Sequence, residues 1–189
     1  KLHKEAQRLE AEIEAIDTEL NGPAASDYVR AAELDTRKGE CEEELMAVYE
    51  ELEELKSFLQ KLNLYIPVVH CEKCIGELIS KGSDEEIADA YRMFEMDCDV
   101  ASSVGAEKVV LHLWGGRASD SNFQRNLNAY RHVTEIAEKY GLDLLVENVV
   151  CNVENPMKHL CELWKKYPEI HFVFDTKMAA FHEQLDLLY

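Results

Sequence analysis

KVVLHLW at residues 108–114 and LDLLVEN at residues 142–148 are short apolar, partly β-branched runs that end beside a group able to hold a proton or a metal. These groups are His112 and Glu147. Two more runs share the pattern: LYIPVVH at 64–70 ends on His70, and IHFVFDT at 170–176 carries Asp175 near its end. Runs of this length and composition read as buried strands. Helical stretches at 84–104, 122–140 and 156–166 separate them. Alternation of this kind builds parallel strands joined by right-handed helical crossovers. Gly105 and Gly141 stand where those helices should stop, and Pro168 marks the same boundary before the fourth strand.

If the strands curl into part of a barrel, their C-terminal ends converge on one mouth, bringing His70, His112, Glu147 and Asp175 together. Imidazole and carboxylate together suit a divalent ion such as Mn, Co, Zn or Mg. Glu147 follows LDLLV and Asp175 follows HFVF, so each would set a charge against an apolar layer unless it had a use. We read Glu147 and Asp175 as both metal ligands and catalytic carboxylates. His70 and His112 read as substrate-binding, although a strand-end histidine is as readily a hydrogen-bonded structural residue. Three neighbours join the substrate-binding set: Trp114 to stack on a sugar face, Asn148 to bond a hydroxyl or orient Glu147, and Lys177 to bind an anionic group or pair with Asp175. Each also has a plain packing or loop role open to it. Gly115-Gly116-Arg117 is placed to form a phosphate-contacting turn or an ordinary loop, and the C-x-x-C at Cys71 and Cys74 lacks a second pair at zinc spacing.

The first 56 residues follow a different rule. Leu2, Ala6, Leu9, Ile13, Ile16 and Leu20 alternate steps of four and three, a heptad seam. Asn21, Gly22 and Pro23 break it, Ser26-Asp27 offers a cap, and a second seam runs Leu34, Cys41, Leu45, Val48, Leu52, Leu55, Leu59, Leu62, with Lys38 as its polar intruder. The pattern predicts an antiparallel coiled-coil hairpin over 1–56 and, after it, a partial barrel of four parallel strands over 57–189.

Composition narrows the function. The net charge of -18 opposes binding to nucleic acid or an anionic membrane, and no Lys/Arg cluster reverses it locally. No apolar stretch approaches membrane-spanning length and no secretory leader is legible, so a soluble cytoplasmic protein is expected. Six scattered cysteines fit free thiols.

Two resemblances attach to these segments. SDYVR-AAEL and EEELMAVYEELEEL resemble the coiled-coil arm of ABC-F ATPases, which act on ribosomes; no G-x-x-x-x-G-K-[ST] loop is present, so ATP hydrolysis does not carry over. GAEKVVLHLWGG, YGLDLLVENVV and HFVFDTKMAAFH are similar to the xylose isomerase-like TIM barrel superfamily, which includes sugar phosphate isomerases/epimerases and endonuclease IV-type enzymes. That resemblance implies metal ligation by Glu147 and Asp175, with His70 and His112 at matching strand ends. It also implies a sugar or sugar-phosphate substrate and proton transfer beside a carbonyl. Met178 stands where many members have a further histidine, and the family's remaining ligands lie on strands beyond this sequence. Three readings follow: a metal-dependent isomerase/epimerase-like protein, inactive if its barrel stays incomplete; a non-catalytic chimeric or interaction protein with a ribosome-associated hairpin; or an endonuclease IV-like phosphodiesterase. Whether the chain is an enzyme at all is left open by the residues. Four strands leave edges at 64–70 and 170–176, which with the coiled coil offer routes to a homo-oligomer.

Overall fold

Heptad spacing and the break at Gly22-Pro23 produce the first unit. A computed structural model, which describes residues 2–188, has α1 at Leu2–Leu20 and α2 at Tyr28–Lys61, joined through a 3-10 turn at Pro23–Ser26. Asp27 caps α2 by accepting from the N–H groups of Val29 and Arg30, each at 3.1 Å. Ala6, Leu9 and Ile16 are buried from one helix, and Leu34 and Cys41 from the other. Lys38 interrupts the seam without leaving a charge in it, because its Nζ reaches Asp17 Oδ1 at 2.6 Å. Arg37 and Arg30 bind Glu12 and Glu19 across the hairpin in the same way, both at 2.7 Å.

The seam does not close along its whole expected length. α1 has 19 residues and α2 has 34, so the distal part of α2 outruns its partner. Leu55 and Leu62, expected on the seam, are accordingly exposed, at 50% and 45%. The chain divides into two compact units at Leu64/Tyr65, and the helix continues to Lys61, past the change of sequence pattern at Lys56.

The second unit contains β1 (Val68–His70), α3 (Ile75–Lys81), α4 (Asp84–Ser103), β2 (Lys108–Leu111), α5 (Phe123–Lys139), β3 (Asp143–Glu147), α6 (Pro156–Lys166), β4 (His171–Val173) and α7 (Thr176–Phe181). Its four strands form one parallel sheet in the order β1-β2-β3-β4. The result is an α/β fold, a partial (β/α) barrel preceded by a helical hairpin. Ser83 and Glu86 make a capping box at the start of α4, while Gly105 and Gly141 turn the chain out of α4 and α5 at φ +77° and +71°. The core lies between sheet and helices. Val109, Leu111, Leu144 and Val146 pack there with Phe94, Val133, Ile136 and Leu163. No described helix is long and apolar enough to cross a membrane.

Two elements went unread in the sequence, α3 and α7. The run at 170–176, expected as a single strand, gives only three strand residues, and Asp175 instead caps α7 with its side chain. α3 enters through a close approach. A Cβ on Gly76 would stand 2.2 Å from the carbonyl oxygen of His112 and 2.7 Å from the Leu113 carbonyl carbon, both backbone atoms that cannot swing aside. Asn126 locks this contact from α5, its Nδ2 donating to the Gly76 and Leu113 carbonyls at 2.9 and 2.7 Å. Replacing Gly76 by Ala is therefore expected to destabilise the second unit by about 3 kcal/mol in urea unfolding, the upper part of the range for overpacked sites.

Candidate metal centre at the strand ends

Each strand places its site residue by alternation. Along β2 and β3 the side chains of Val109, Leu111, Leu144 and Val146 point to the buried helical layer, so His112 and Glu147 point the opposite way, with His70 from β1. Glu147 is only 8% exposed. Its Oε2 lies 3.0 Å from His70 Nε2 and 2.7 Å from His112 Nε2, with the two rings edge to face at 4.6 Å. The ligand atoms of these three residues fall within 4.8 Å of one another.

Proton bookkeeping tests whether a metal fits. His70 Nδ1 is 3.0 Å from the Cys71 carbonyl, which can only accept, so the ring proton of a neutral His70 sits on Nδ1. The bare Nε2 then faces a carboxylate oxygen, lone pair to lone pair, unless a proton or a cation stands between them. Burial pushes His112 below the usual histidine range, more than the neighbouring Glu147 restores, which favours the neutral imidazole a metal needs. Asp175 approaches from β4. The N–H groups of Met178 and Lys177, with Glu147 beside them, hold it below the usual carboxylate range. Two imidazoles and one carboxylate thus bring three ligand atoms together, a donor set that suits a divalent ion, while Asp175 stands outside that group.

The remaining expected site residues separate into distinct roles. Asn148 is buried; its Nδ2 donates to the Asp175 carbonyl and its Oδ1 accepts from the Asp175 N–H, so it ties the end of β3 to Asp175. Lys177 is exposed beside Asp175. Trp114 is not at the mouth. It is fully buried against Phe123 and His159, with Nε1 donating to the Val149 carbonyl at 3.3 Å, which leaves no ring face for a sugar. The Gly115-Gly116-Arg117 turn holds an internal anion, not a free phosphate nest. The N–H groups of Arg117 and Ala118 both donate to Glu77 Oε1, at 3.2 Å each. Among the described residues no disulfide joins any of the six cysteines.

One buried cluster gave no sequence signal. Asp120 accepts from the N–H groups of Asn152, Val153 and Glu154 and from His159 Nε2 at 2.9 Å, and Cys151 lies beside it. Burial alone would raise the Asp120 carboxyl, yet these bonds pull it well below its ordinary range. With both oxygens engaged, Asp120 acts as the anchor of the loop after β3. Asp120 stands 32 residues before Asn152 and 39 before His159, and no local spacing announces the cluster.

A partial (β/α) barrel with histidine and carboxylate side chains converging at its strand ends is thus the class that fold and site define. The chain belongs to the xylose isomerase-like TIM barrel family, whose profile matches residues 24–186. The match begins within the helical hairpin, well before residue 57, where the sequence resemblance was placed. A crystal structure of a xylose isomerase domain protein from Planctomyces limnophilus is 16% identical, with a TM-score of 0.47 over 67% of this chain and 49% of that one. The present chain therefore spans about half the length of that protein. No curated protein matches, so the likeness of the hairpin to ABC-F arms rests on its motifs alone.

Close to the site, Asp97 accepts from the Glu72 N–H at 2.8 Å, and burial pushes its carboxyl up to about 6. Because the folded form binds this proton more tightly than the unfolded chain does, stability falls as pH rises from about 4 to 6. Asp97→Asn keeps the acceptor without the charge. It should raise stability by about 2 kcal/mol at pH 7.5 and by nothing near pH 3.5, read from thermal melts at both values.

Proposed function

We propose that the strand ends hold a divalent metal and that the site performs proton transfer beside the carbonyl of a sugar or sugar phosphate. The observation that carries this reading is the convergence of Glu147 Oε2 with the Nε2 atoms of His70 and His112, at 3.0 and 2.7 Å, three ligand atoms in one place. His70, His112 and Glu147 would hold the ion, with Asp175 completing the set. Bound there, a divalent ion would polarise a substrate carbonyl and offset the negative charge that grows on its oxygen.

The protein groups divide the remaining work. Asp175, fixed by two backbone N–H donors and kept ionised, serves best as a ligand. Glu147 would serve both as a ligand and as the carboxylate that takes a proton from one carbon and returns it to the next. Asn148 keeps the β4 end in register with Glu147, and Lys177 offers an exposed ammonium for an anionic substrate group. Membership of the family supports a sugar-type substrate.

Two imidazoles and one carboxylate also form the donor set of hydrolytic zinc sites, which favours a second reading, phosphodiester cleavage. The net charge of -18 weighs against a polyanionic substrate. Metal content and turnover on a panel of ketoses and ketose phosphates, with Mn, Co, Zn or Mg supplied, separate the two. The expected result is metal retained by the parent chain, metal-dependent isomerisation, and a loss of ~10²-fold or more in Glu147→Gln. Cleavage of abasic duplex at physiological salt without sugar turnover would transfer the site to the second reading. A chain that binds no metal and turns over neither substrate would refute both.

A further inference from the structure

α7 is too short to hold itself together. It has six residues, and among them only Ala179 is buried. Isolated helices below roughly 12–15 residues are marginal in water, because the first turn costs more than it returns. β4, which leads into α7, has only three residues. The bonds at the two ends of α7 therefore matter more than its own ladder. At its start the Asp175 carboxylate accepts from the N–H groups of Lys177 and Met178, at 2.7 and 3.0 Å, and the Asn148 side chain grips the Asp175 backbone.

The far end closes on the loop after β3. His182 is half-buried and its Nε2 accepts from the Cys151 N–H at 3.2 Å, while Gln184 Nε2 donates to Asn155 Oδ1 at 2.8 Å. A backbone N–H can only donate, so Nε2 is the bare nitrogen of this ring. The chain reaches both partners by leaving α7 through a left-handed turn. Glu183 N–H bonds the Ala180 carbonyl, Gln184 N–H bonds the Ala179 carbonyl, and Glu183 has φ +56°. Glycine is the usual occupant there, and a side chain costs free energy that the surrounding bonds must offset. One segment, 148–155, thus grips α7 at both ends. That segment is itself anchored, since Asp120 accepts from the N–H groups of Asn152, Val153 and Glu154.

We infer that His182 is a positioning residue for Asp175. A helix of this length opens as one unit, so releasing its last turn from Cys151 frees its first turn, and with it the carboxylate that caps that turn. His182 stands outside the group formed by His70, His112 and Glu147 and acts through α7. The inference rests on the strand-end site proposed above, because Asp175 completes that site only where α7 holds it.

Hydrogen exchange of the whole metal-free chain, read amide by amide by NMR, tests this coupling without any reaction. The reporters are the amides of Met178 and Ala179, which donate to the Asp175 carboxylate and carbonyl at the opposite end of α7 from His182. In His182→Leu both should exchange about tenfold faster, as the loss of one hydrogen bond predicts, together with the Cys151 amide. In His182→Gln, whose side-chain oxygen takes the place of Nε2, all three should stay near the parent rates. Both variants should keep the far-UV circular dichroism of the parent. Affinity for Mn, Co or Zn, from calorimetric titration, should fall about tenfold or more in His182→Leu and return in His182→Gln. Faster exchange confined to Cys151, or equal losses in the two variants, would overturn the inference. So would a parent chain that binds metal with an affinity His182→Leu leaves unchanged, and the metal reading would then survive. A parent that binds no metal but shows the expected exchange pattern would sink the metal reading and leave His182 in its role of holding Asp175.

Discussion

The register of the parallel ladder is the constraint on which the rest of the second unit depends. Side chains alternate along a strand, so residues that share the mouth must be related by even steps, and the steps of two, two and four that relate His70, His112, Glu147 and Asp175 are all even. A slip of one residue in any strand would turn its ligand into the helical layer and an apolar side chain into the mouth. Burial of Val109, Leu111, Leu144 and Val146 under the helices forbids that slip, so the packing of one face aims the chemistry of the other. The site is held by the core more than by its own contacts.

A second theme is the use of internal carboxylates to shape loops. Asp120 gathers three successive backbone N–H groups after β3, Glu77 takes two in the loop after β2, Asp97 takes one after β1, and Asp175 takes two at the start of α7. The N–H groups they bind all lie in a stretch that follows a strand. A buried N–H left unpaired costs roughly 1–3 kcal/mol, and a carboxylate that accepts several both satisfies them and has its own charge stabilised. Part of the large acidic excess is thereby structural, in the service of loops.

Much of this was legible in the residues. The four apolar runs, the three long helices between them and the glycine stops follow from composition and local spacing, and each appears in place. The site was half legible: the four strand-end groups were visible, but the division of labour was not. The histidines read as substrate-binding are the ones whose Nε2 atoms face Glu147, while Trp114, read as a sugar platform, is core. Asn148 read as ambiguous, and both bonds of its side chain go to the Asp175 backbone.

The seam of the hairpin shows the same limit, since a heptad specifies a sticky face without specifying what covers it. Spacing alone does not tell the seam position of Cys41 from that of Leu55, yet Cys41 is buried and Leu55 is not. By itself the sequence determined element type and order, because propensity, period and turn chemistry act within a few residues. Only the tertiary structure decided which ends meet, that Gly76 had to be bare to admit α3 against β2, and that Glu147 stands between two imidazoles. Those facts depend on contacts between residues tens of positions apart, fixed by strand register and helix packing, and no local pattern encodes them.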